Sequence, residues 1–90
     1  MAAYSILIKD SVRKDVDAIP AKDLQRIMER IGQLADDPRP AGSEKLSGQD
    51  RYRIWQGNYR IIYSIQDNEL TVWVAKVAHR REVYSDVRRK

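Results

Sequence analysis

The spacing of apolar residues changes near the middle of the chain, from a helical period before residue 50 to a strand period after it. The apolar run at 4–8 predicts a strand that lies inside a sheet. The next apolar residues recur at the spacing of one helix face, at Val12, Val16 and Ile19. They predict a short helix that follows Asp10 as its N-cap and is closed or bent by Pro20.

The second helix has the clearest helical period in the chain. Its apolar face consists of Leu24, Ile27, Met28, Ile31, Leu34 and Ala35. Charged residues fill the opposite face, so we expect the two helices to pack as an antiparallel hairpin against another layer. Prolines and a glycine interrupt the period at 36–43, and 47–50 carries a second turn signal. Neither stretch is long enough for a linker, which predicts one domain over residues 1–90.

Two β-rich runs, 51–56 and 59–65, are separated only by Gly57-Asn58. Glycine supplies the positive φ that the first loop position of a type II′ turn requires, and asparagine suits the second position. The sequence therefore predicts an antiparallel hairpin with these two residues at its tip.

A turn at 67–68 leads into a further apolar run at 69–77, which predicts a third consecutive antiparallel strand. Residues 81–90 are compatible with a short terminal helix or an extended arm. The predicted fold class is therefore α+β, with an N-terminal strand and a helical hairpin packed on a mainly antiparallel, twisted sheet.

Composition narrows the class of protein. The 90 residues are 42% hydrophobic and 33% charged, which is typical of one small soluble domain and excludes a multidomain enzyme with its own cofactor-binding fold. The chain has no cysteine and one histidine, so we expect no disulfide, no zinc site and no cofactor. The N-terminal residues show neither a signal peptide nor a membrane span, which predicts a cytoplasmic protein.

The positive charge is concentrated in the second half. Residues 1–50 carry 8 basic and 9 acidic side chains, whereas residues 51–90 carry 9 basic and 4 acidic ones. Six of the seven aromatic residues also lie in the second half. Interleaved arginine and aromatic side chains suit a surface that binds nucleic acid, although both are also ordinary residues of a solvated sheet.

The hairpin register assigns these side chains to faces. With Gly57-Asn58 as the loop, Trp55 pairs with Arg60, so these two residues share one face of the sheet with Arg53. The opposite face carries the apolar set Tyr52, Ile54, Ile61 and Tyr63, which we expect to pack against the helices. Alternatively, the indole simply covers the apolar stem of the cross-strand arginine as a cation–π pair.

A second cluster, AHRREVY, follows the last predicted strand at 78–84. An arginine pair beside Tyr84 is suited to bind a phosphate and to lower the pKa of the phenol. His79 is the one side chain of the chain whose usual titration range lies near neutral pH. No glycine-rich phosphate loop and no Ser/His/Asp or Cys/His set accompanies them.

The order of these motifs carries a family resemblance. The strand, the helical hairpin, the LSG turn, the YRIWQGNYRIIY hairpin and the VAHRREVY ending together resemble the RelE/ParE superfamily of bacterial toxins, in particular its RelE branch. The resemblance covers essentially the whole chain. It implies the RelE-like microbial RNase fold and a messenger-RNA endonuclease that acts in the ribosomal A site.

The resemblance also implies residue roles. Arg60 matches the arginine that stabilises the scissile phosphate, Arg80 matches the arginine at the end of the last strand, and Tyr84 matches the tyrosine that orients or activates the attacking group. Arg53 stands in place of a lysine and keeps its charge. Trp55 stands where some members have a second lysine that is a candidate general base, so the assignment of acid and base stays open.

A metal-independent mechanism fits these groups, because RNA supplies its own nucleophile, the 2′-hydroxyl. In this hypothesis, Arg53 and Arg60 contact the phosphate, and Arg80 or His79 acts at the leaving 5′-oxygen. The RNA-binding surface is expected to add Trp55, Arg51, Arg81 and Lys45.

Partners follow from the resemblance. It implies a small, acidic, RelB-like antitoxin in a toxin–antitoxin hetero-oligomer, together with the ribosome and messenger RNA, and no membrane. Two alternatives keep a basic sheet face but change its function: a ParE-like toxin that inhibits DNA gyrase by binding, and a non-catalytic basic RNA-binding module.

Overall fold

The computed structural model describes residues 3–46, 48 and 50–81. Within these residues, the order of elements is β1 (Ser5–Ile8), α1 (Val12–Asp17), α2 (Ala21–Gln33), β2 (Glu44–Lys45), β3 (Tyr52–Gln56), β4 (Tyr59–Gln66), a 3₁₀ turn (Asp67–Glu69) and β5 (Thr71–His79). The α+β class predicted from the sequence is confirmed. Neither helix among the described residues has the length and apolarity that crossing a membrane requires.

The strands form one sheet in the order β1-β5-β4-β3-β2. β2, β3, β4 and β5 are antiparallel neighbours, and β1 pairs in parallel with β5. The prediction that the first strand lies inside the sheet is wrong, because β1 is an edge strand whose Leu7 and Ile8 are about two-fifths exposed. An apolar run indicates that one face of a strand is buried, but it does not report how many neighbours the strand has.

The helices begin and end close to their sequence signals. Ser11, rather than the predicted Asp10, is the N-cap residue of α1, and its side chain makes no capping hydrogen bond. Pro20 is the N-cap residue of α2, so this proline separates the two helices. Met28 was predicted on the buried face of α2 but is 42% exposed. The reason is that α2 buries a narrower stripe than its period suggests, centred on Ile27 and Ile31.

Both helices pack on one face of the sheet, and the core lies between the two layers. Its fully buried members are Val12, Ile27, Ile31, Leu34, Ile54, Ile61, Tyr63, Val72, Val74 and Val77. Burying each large apolar side chain contributes about 1.5–3 kcal/mol. The helices therefore fix which face of the sheet is internal.

A β-bulge interrupts the pairing of β4 with β5. Ile62 pairs with Lys76, but the next residue, Tyr63, pairs with Val74, which leaves Ala75 as the extra residue. Because of this extra residue, Val74 and Val77 are both buried in the core although they are an odd number of positions apart.

Asp15 of α1 fastens the helix to the strand just after the bulge. Its carboxylate accepts hydrogen bonds from the backbone N–H of Val77 at 3.1 Å and from Nζ of Lys76 at 3.2 Å. The end of β5 is therefore held against α1 on the covered face.

Candidate functional site

The hairpin tip between β3 and β4 has the predicted geometry. Gly57 has φ of +59°, a conformation that glycine adopts without steric cost. The register also agrees with the prediction, since Gln56 pairs with Tyr59 and Trp55 pairs with Arg60. Residues on either side of the turn therefore alternate between the two faces as expected.

Arg53, Trp55 and Arg60 share the sheet face opposite the helices, and we call these three residues the arginine face. Trp55 is 39% exposed, and both arginines are partly buried. The arrangement presents two guanidinium groups and one indole together. Guanidinium groups form bidentate hydrogen bonds with phosphate oxygens, and an indole stacks on a nucleobase.

Glu44 of β2 also belongs to this side of the sheet, because it is the cross-strand partner of Arg53. Its Oε1 atom accepts hydrogen bonds from Nη2 of Arg53 at 2.8 Å and from Nε at 3.2 Å. The carboxylate offsets the charge of that arginine and holds its orientation. Sequence reasoning missed Glu44 because β2 has only two residues, both charged, and therefore gives no apolar signal.

Arg80 directly follows β5 and lies next to the hairpin tip. Its backbone N–H donates a hydrogen bond to the carbonyl oxygen of Asn58 at 2.8 Å, which ties the end of β5 to the hairpin turn. Trp55, Gly57, Asn58 and Arg80 together line a cleft of about 230 Å³. This volume is below the ~300–1,000 Å³ typical of pockets for whole small-molecule ligands, so the cleft suits part of a larger ligand.

Two predicted site residues lie on the other face. His79 pairs with Tyr59, so its side chain faces α1, and the two rings are in edge contact with centroids 5.1 Å apart. Lys45 pairs with Tyr52 and lines a separate cleft with Arg39. The structure therefore does not bring His79 or Lys45 together with the arginine face.

The remaining predicted residues follow or precede strands. Arg51 is exposed, one residue before β3, and its carbonyl accepts the N–H of Leu46 at 2.8 Å. Arg81 is exposed next to Arg80. The role predicted for Tyr84 and the helix or arm predicted beyond Arg81 lie outside the described residues.

A second polar cluster ties the 36–43 loop to the far end of the sheet. Arg39 donates from Nη2 and Nη1 to the carboxylate of Asp67 at 2.9 and 3.3 Å, and from Nε to the hydroxyl of Tyr52 at 3.0 Å. The Tyr4 hydroxyl donates to the same carboxylate at 2.8 Å. These contacts join the residue before β1, the loop, β3 and the 3₁₀ turn.

This cluster also shifts pKa values. The hydrogen bonds from Arg39 and then from Tyr4 lower the pKa of Asp67. The Asp67 carboxylate in turn raises the pKa of Tyr4 and the pKa of Arg39 through the same hydrogen bonds. Because each residue already serves as the other's partner, we interpret the cluster as structural.

Tyr63 anchors the same loop from inside the core. Its hydroxyl donates a hydrogen bond to the carbonyl oxygen of Pro38 at 2.8 Å, and its ring stacks on that of Tyr52. Burial raises the pKa of this phenol. Across residues 3–46, 48 and 50–81, no group of three or more His, Asp or Glu side chains is placed to hold a metal ion.

Comparisons with known proteins agree on one class. The family model described as "ParE toxin of type II toxin-antitoxin system, parDE" matches residues 6–84. Toxin RelG of Mycobacterium tuberculosis is 29% identical over 85 residues, which cover 90% of this chain and 95% of that protein.

Solved structures show the same similarity. The archaeal RelE–RelB complex from Pyrococcus horikoshii matches with a TM-score of 0.78 and 28% identity, covering 87% of this chain and 96% of that one. The isolated RelE toxin of Escherichia coli matches with a TM-score of 0.73 and 26% identity over 97% of both chains. The matched range of the family model includes the arginine face and Arg80.

Proposed function

Because the chain belongs to the RelE/ParE superfamily of type II toxins, we propose that it is a ribosome-dependent endoribonuclease that cleaves translated messenger RNA in the ribosomal A site. The observation that carries this proposal is the joint placement of Arg53, Trp55 and Arg60 on the sheet face opposite α1 and α2, beside the cleft of Arg80. Two guanidinium groups next to a stacking indole suit RNA, which presents a phosphate and a base in each nucleotide.

The proposed reaction uses the 2′-hydroxyl of the RNA as the nucleophile. Its oxygen attacks the adjacent phosphorus, the bond from phosphorus to the 5′-oxygen breaks, and the products are a 2′,3′-cyclic phosphate and a 5′-hydroxyl. One proton leaves the 2′-hydroxyl, and one is delivered to the 5′-oxygen. The protein has to align the two oxygens and stabilise the charge that grows on the phosphoryl group.

The arginines serve the electrostatic part of this reaction. Arg60 and Arg53 stabilise the phosphoryl oxygens, and Arg80 stabilises the leaving 5′-oxygen. Trp55 stacks on a base next to the scissile bond and so fixes its position. Tyr84 remains the proposed base or orienting group, as its motif implies. His79, on the opposite face, has no direct part in this version of the mechanism.

Cleavage in a reconstituted translation system tests the proposal. Primer extension on a translated message should show cuts inside the coding region that disappear when ribosomes are left out. Arg60→Ala should lower the rate at least about 100-fold, as removal of one preorganised charge-stabilising group does in other enzymes. Arg26→Ala, on the exposed face of α2, is the matched control and should cleave at the wild-type rate. Equal rates for both variants would remove the arginine face from the reaction.

Inhibition of DNA gyrase is the second candidate, because the matching family model is the ParE toxin. This function needs binding but no nuclease chemistry. It predicts that the purified protein blocks gyrase supercoiling while a translated message stays intact. The endoribonuclease instead predicts that gyrase supercoiling continues and that the translated message is cut.

We also propose an acidic antitoxin as the partner of this toxin. Its structural relatives include a RelE–RelB complex, and the arginine face carries positive charge on the side of the sheet opposite α1 and α2. A partner segment with Asp and Glu side chains would complement that face. Binding of the acidic product of a neighbouring gene should weaken in an Arg53→Ala/Arg60→Ala variant and stay unchanged in Arg26→Ala.

A further inference from the structure

His79 lies on the helix-covered face of the sheet, at the point where β5 ends and Arg80 begins. It is the last residue of β5, and its ring faces α1, where it lines a small cleft with Asp15, Ile19 and Tyr59. The ring of Tyr59 meets it edge-on at an interplanar angle of 89°. This contact restrains the orientation of the imidazole.

The imidazole accepts a hydrogen bond from the backbone two residues later. Nδ1 accepts the backbone N–H of Arg81 at 3.1 Å. A ring nitrogen that accepts a hydrogen bond carries no proton, so the neutral ring bears its hydrogen on Nε2. Arg80 and Arg81 have helical backbone conformation, so His79 stands in the position of an N-cap whose side chain accepts the N–H two residues later.

Arg80, the first residue of this helical segment, is held by a hydrogen bond to a different element. The N–H of Arg80 is bound by the carbonyl oxygen of Asn58, and the N–H of Arg81 is bound by His79. Two consecutive amides are therefore held by groups from different elements, the hairpin turn and the end of β5. Together, these two hydrogen bonds fix the backbone position of Arg80, which lines the cleft beside Trp55.

We propose that His79 is a positioning residue for Arg80, which it directs into the cleft beside Trp55 by capping the turn that begins there. It acts through this hydrogen bond and transfers no proton to or from the RNA. The proposal rests on the proposed function, because it assigns Arg80 to the reacting phosphate. It also gives a physical role to the histidine of the AHRREVY motif, which the sequence alone grouped with the acid and base candidates.

The charged groups around the ring are compatible with this role. Asp15 lines the same cleft, but its carboxylate already accepts from Lys76 and from the N–H of Val77. Tyr59 faces the ring from β4 and contacts it by its edge. Arg80 and Arg81 follow His79 directly in the chain, and the backbone N–H of Arg81 is the donor to Nδ1.

Two substitutions separate positioning from proton transfer. In His79→Asn, the side-chain oxygen takes the place of Nδ1 and caps the turn, since asparagine is among the best N-cap residues. In His79→Ala, no acceptor remains. We expect His79→Asn to cleave message within about threefold of the wild-type rate, and His79→Ala to lose about tenfold or more through misplacement of Arg80. Circular dichroism and thermal melting confirm that both variants fold.

The outcome can overturn the proposal in two ways. Equal loss of cleavage in the two folded variants would make His79 an acid or base. Full activity in His79→Ala would leave it without a role in the reaction.

A second measurement does not depend on cleavage. Hydrogen exchange of the Arg81 amide, followed by NMR, should be slow in the wild type and in His79→Asn and fast in His79→Ala. If His79→Ala keeps the amide protected, the cap is wrong whatever the nuclease activity. If the exchange pattern holds but the wild type cuts no message, the cap stands and the proposed function fails.

Discussion

Arg53 illustrates how a single residue can be correctly placed by sequence and yet incompletely described by it. Its position on the arginine face follows from strand alternation, but its ion pair with Glu44 depends on a short strand from elsewhere in the chain. The two side chains are 31% and 58% exposed, so the pair contributes little to stability. Its main effect is to offset the positive charge that Arg53 brings to the arginine face.

Glu44→Gln should therefore strengthen binding of a single-stranded RNA oligonucleotide. If Arg53 binds phosphate as proposed, removing one negative charge beside it is worth about 1 kcal/mol, or a fivefold lower Kd, at low salt. Glu29→Gln on the exposed side of α2 changes the net charge equally and is the control. Fluorescence anisotropy measures both; an equal gain in the control would assign the effect to net charge instead of to the release of Arg53.

The lowered pKa of Asp67 predicts that the protein loses stability in acid. This pKa lies below the ordinary value, so the folded state binds fewer protons there than the unfolded state. The stabilisation is therefore complete above about pH 4 and is lost as the pH falls through the lowered pKa. Wild type should be more stable than Asp67→Asn at pH 7, and the gap should narrow by pH 2. Urea midpoints at the two pH values measure this; a constant gap would contradict the ion-pair explanation.

At the scale of elements, the 36–43 loop is held by side chains of the sheet rather than by a strand or helix of its own. The buried hydroxyl of Tyr63 binds the carbonyl of Pro38, and the guanidinium of Arg39 binds Asp67. These contacts hold the loop next to the stacked rings of Tyr52 and Tyr63. The loop leads directly into β2, and thus fixes where Glu44 meets Arg53.

Removing the buried hydroxyl should destabilise this loop. Tyr63→Phe leaves the Pro38 carbonyl without its donor and should lower the free energy of unfolding by about 1–3 kcal/mol. Tyr4→Phe also removes a hydroxyl, but one that is less buried, and should cost less. Chemical denaturation ranks the two variants, and a larger loss in Tyr4→Phe would contradict the assigned anchor.

Two glycine substitutions, one at the hairpin tip and one in α2, should have opposite effects on stability. Gly57→Ala places a Cβ at φ of +59° and should destabilise the protein by about 1–2 kcal/mol. Gly32→Ala in the last turn of α2 meets no atom within 4 Å and should stabilise it by up to about 1 kcal/mol. Thermal unfolding of both proteins provides the comparison; a neutral Gly57→Ala would mean that the turn tolerates an L-residue.

At the scale of the whole molecule, the sheet separates two chemistries. One face is covered by α1 and α2 and forms the core, whereas the other carries Arg53, Trp55 and Arg60. The basic second half of the sequence thus contributes to both faces of the sheet, but Arg53 and Arg60 lie on one of them. This separation lets the protein fold around one face and leave the other for a ligand.

Salt dependence tests this division of charge. Binding of single-stranded RNA should weaken as salt increases, with a slope of log K against log salt that falls by about 0.7 for each phosphate contact removed. Arg60→Ala should show this smaller slope, whereas Arg26→Ala on α2 should keep the wild-type slope. Equal slopes for all three proteins would place the RNA elsewhere on the surface.

The sequence by itself determined the class of fold, most of the element boundaries and the membership of the arginine face. These features depend on local rules: the period of apolar residues, the φ preference of Gly57 and the alternation of side chains outward from a known turn. The hairpin register needed no information from the rest of the chain, so Trp55 and Arg60 were paired correctly.

Only the tertiary structure decided the features that join distant segments. β1 lies at an edge because β5 accepts it in parallel, and the bulge at Ala75 resets which residues of β5 enter the core. The same packing turns His79 toward α1 and brings Glu44 to Arg53. None of these contacts has a local signal, because each depends on strand pairing within the sheet or on packing of the sheet against a helix. The sequence thus identified the arginines, and the fold decided which groups hold them.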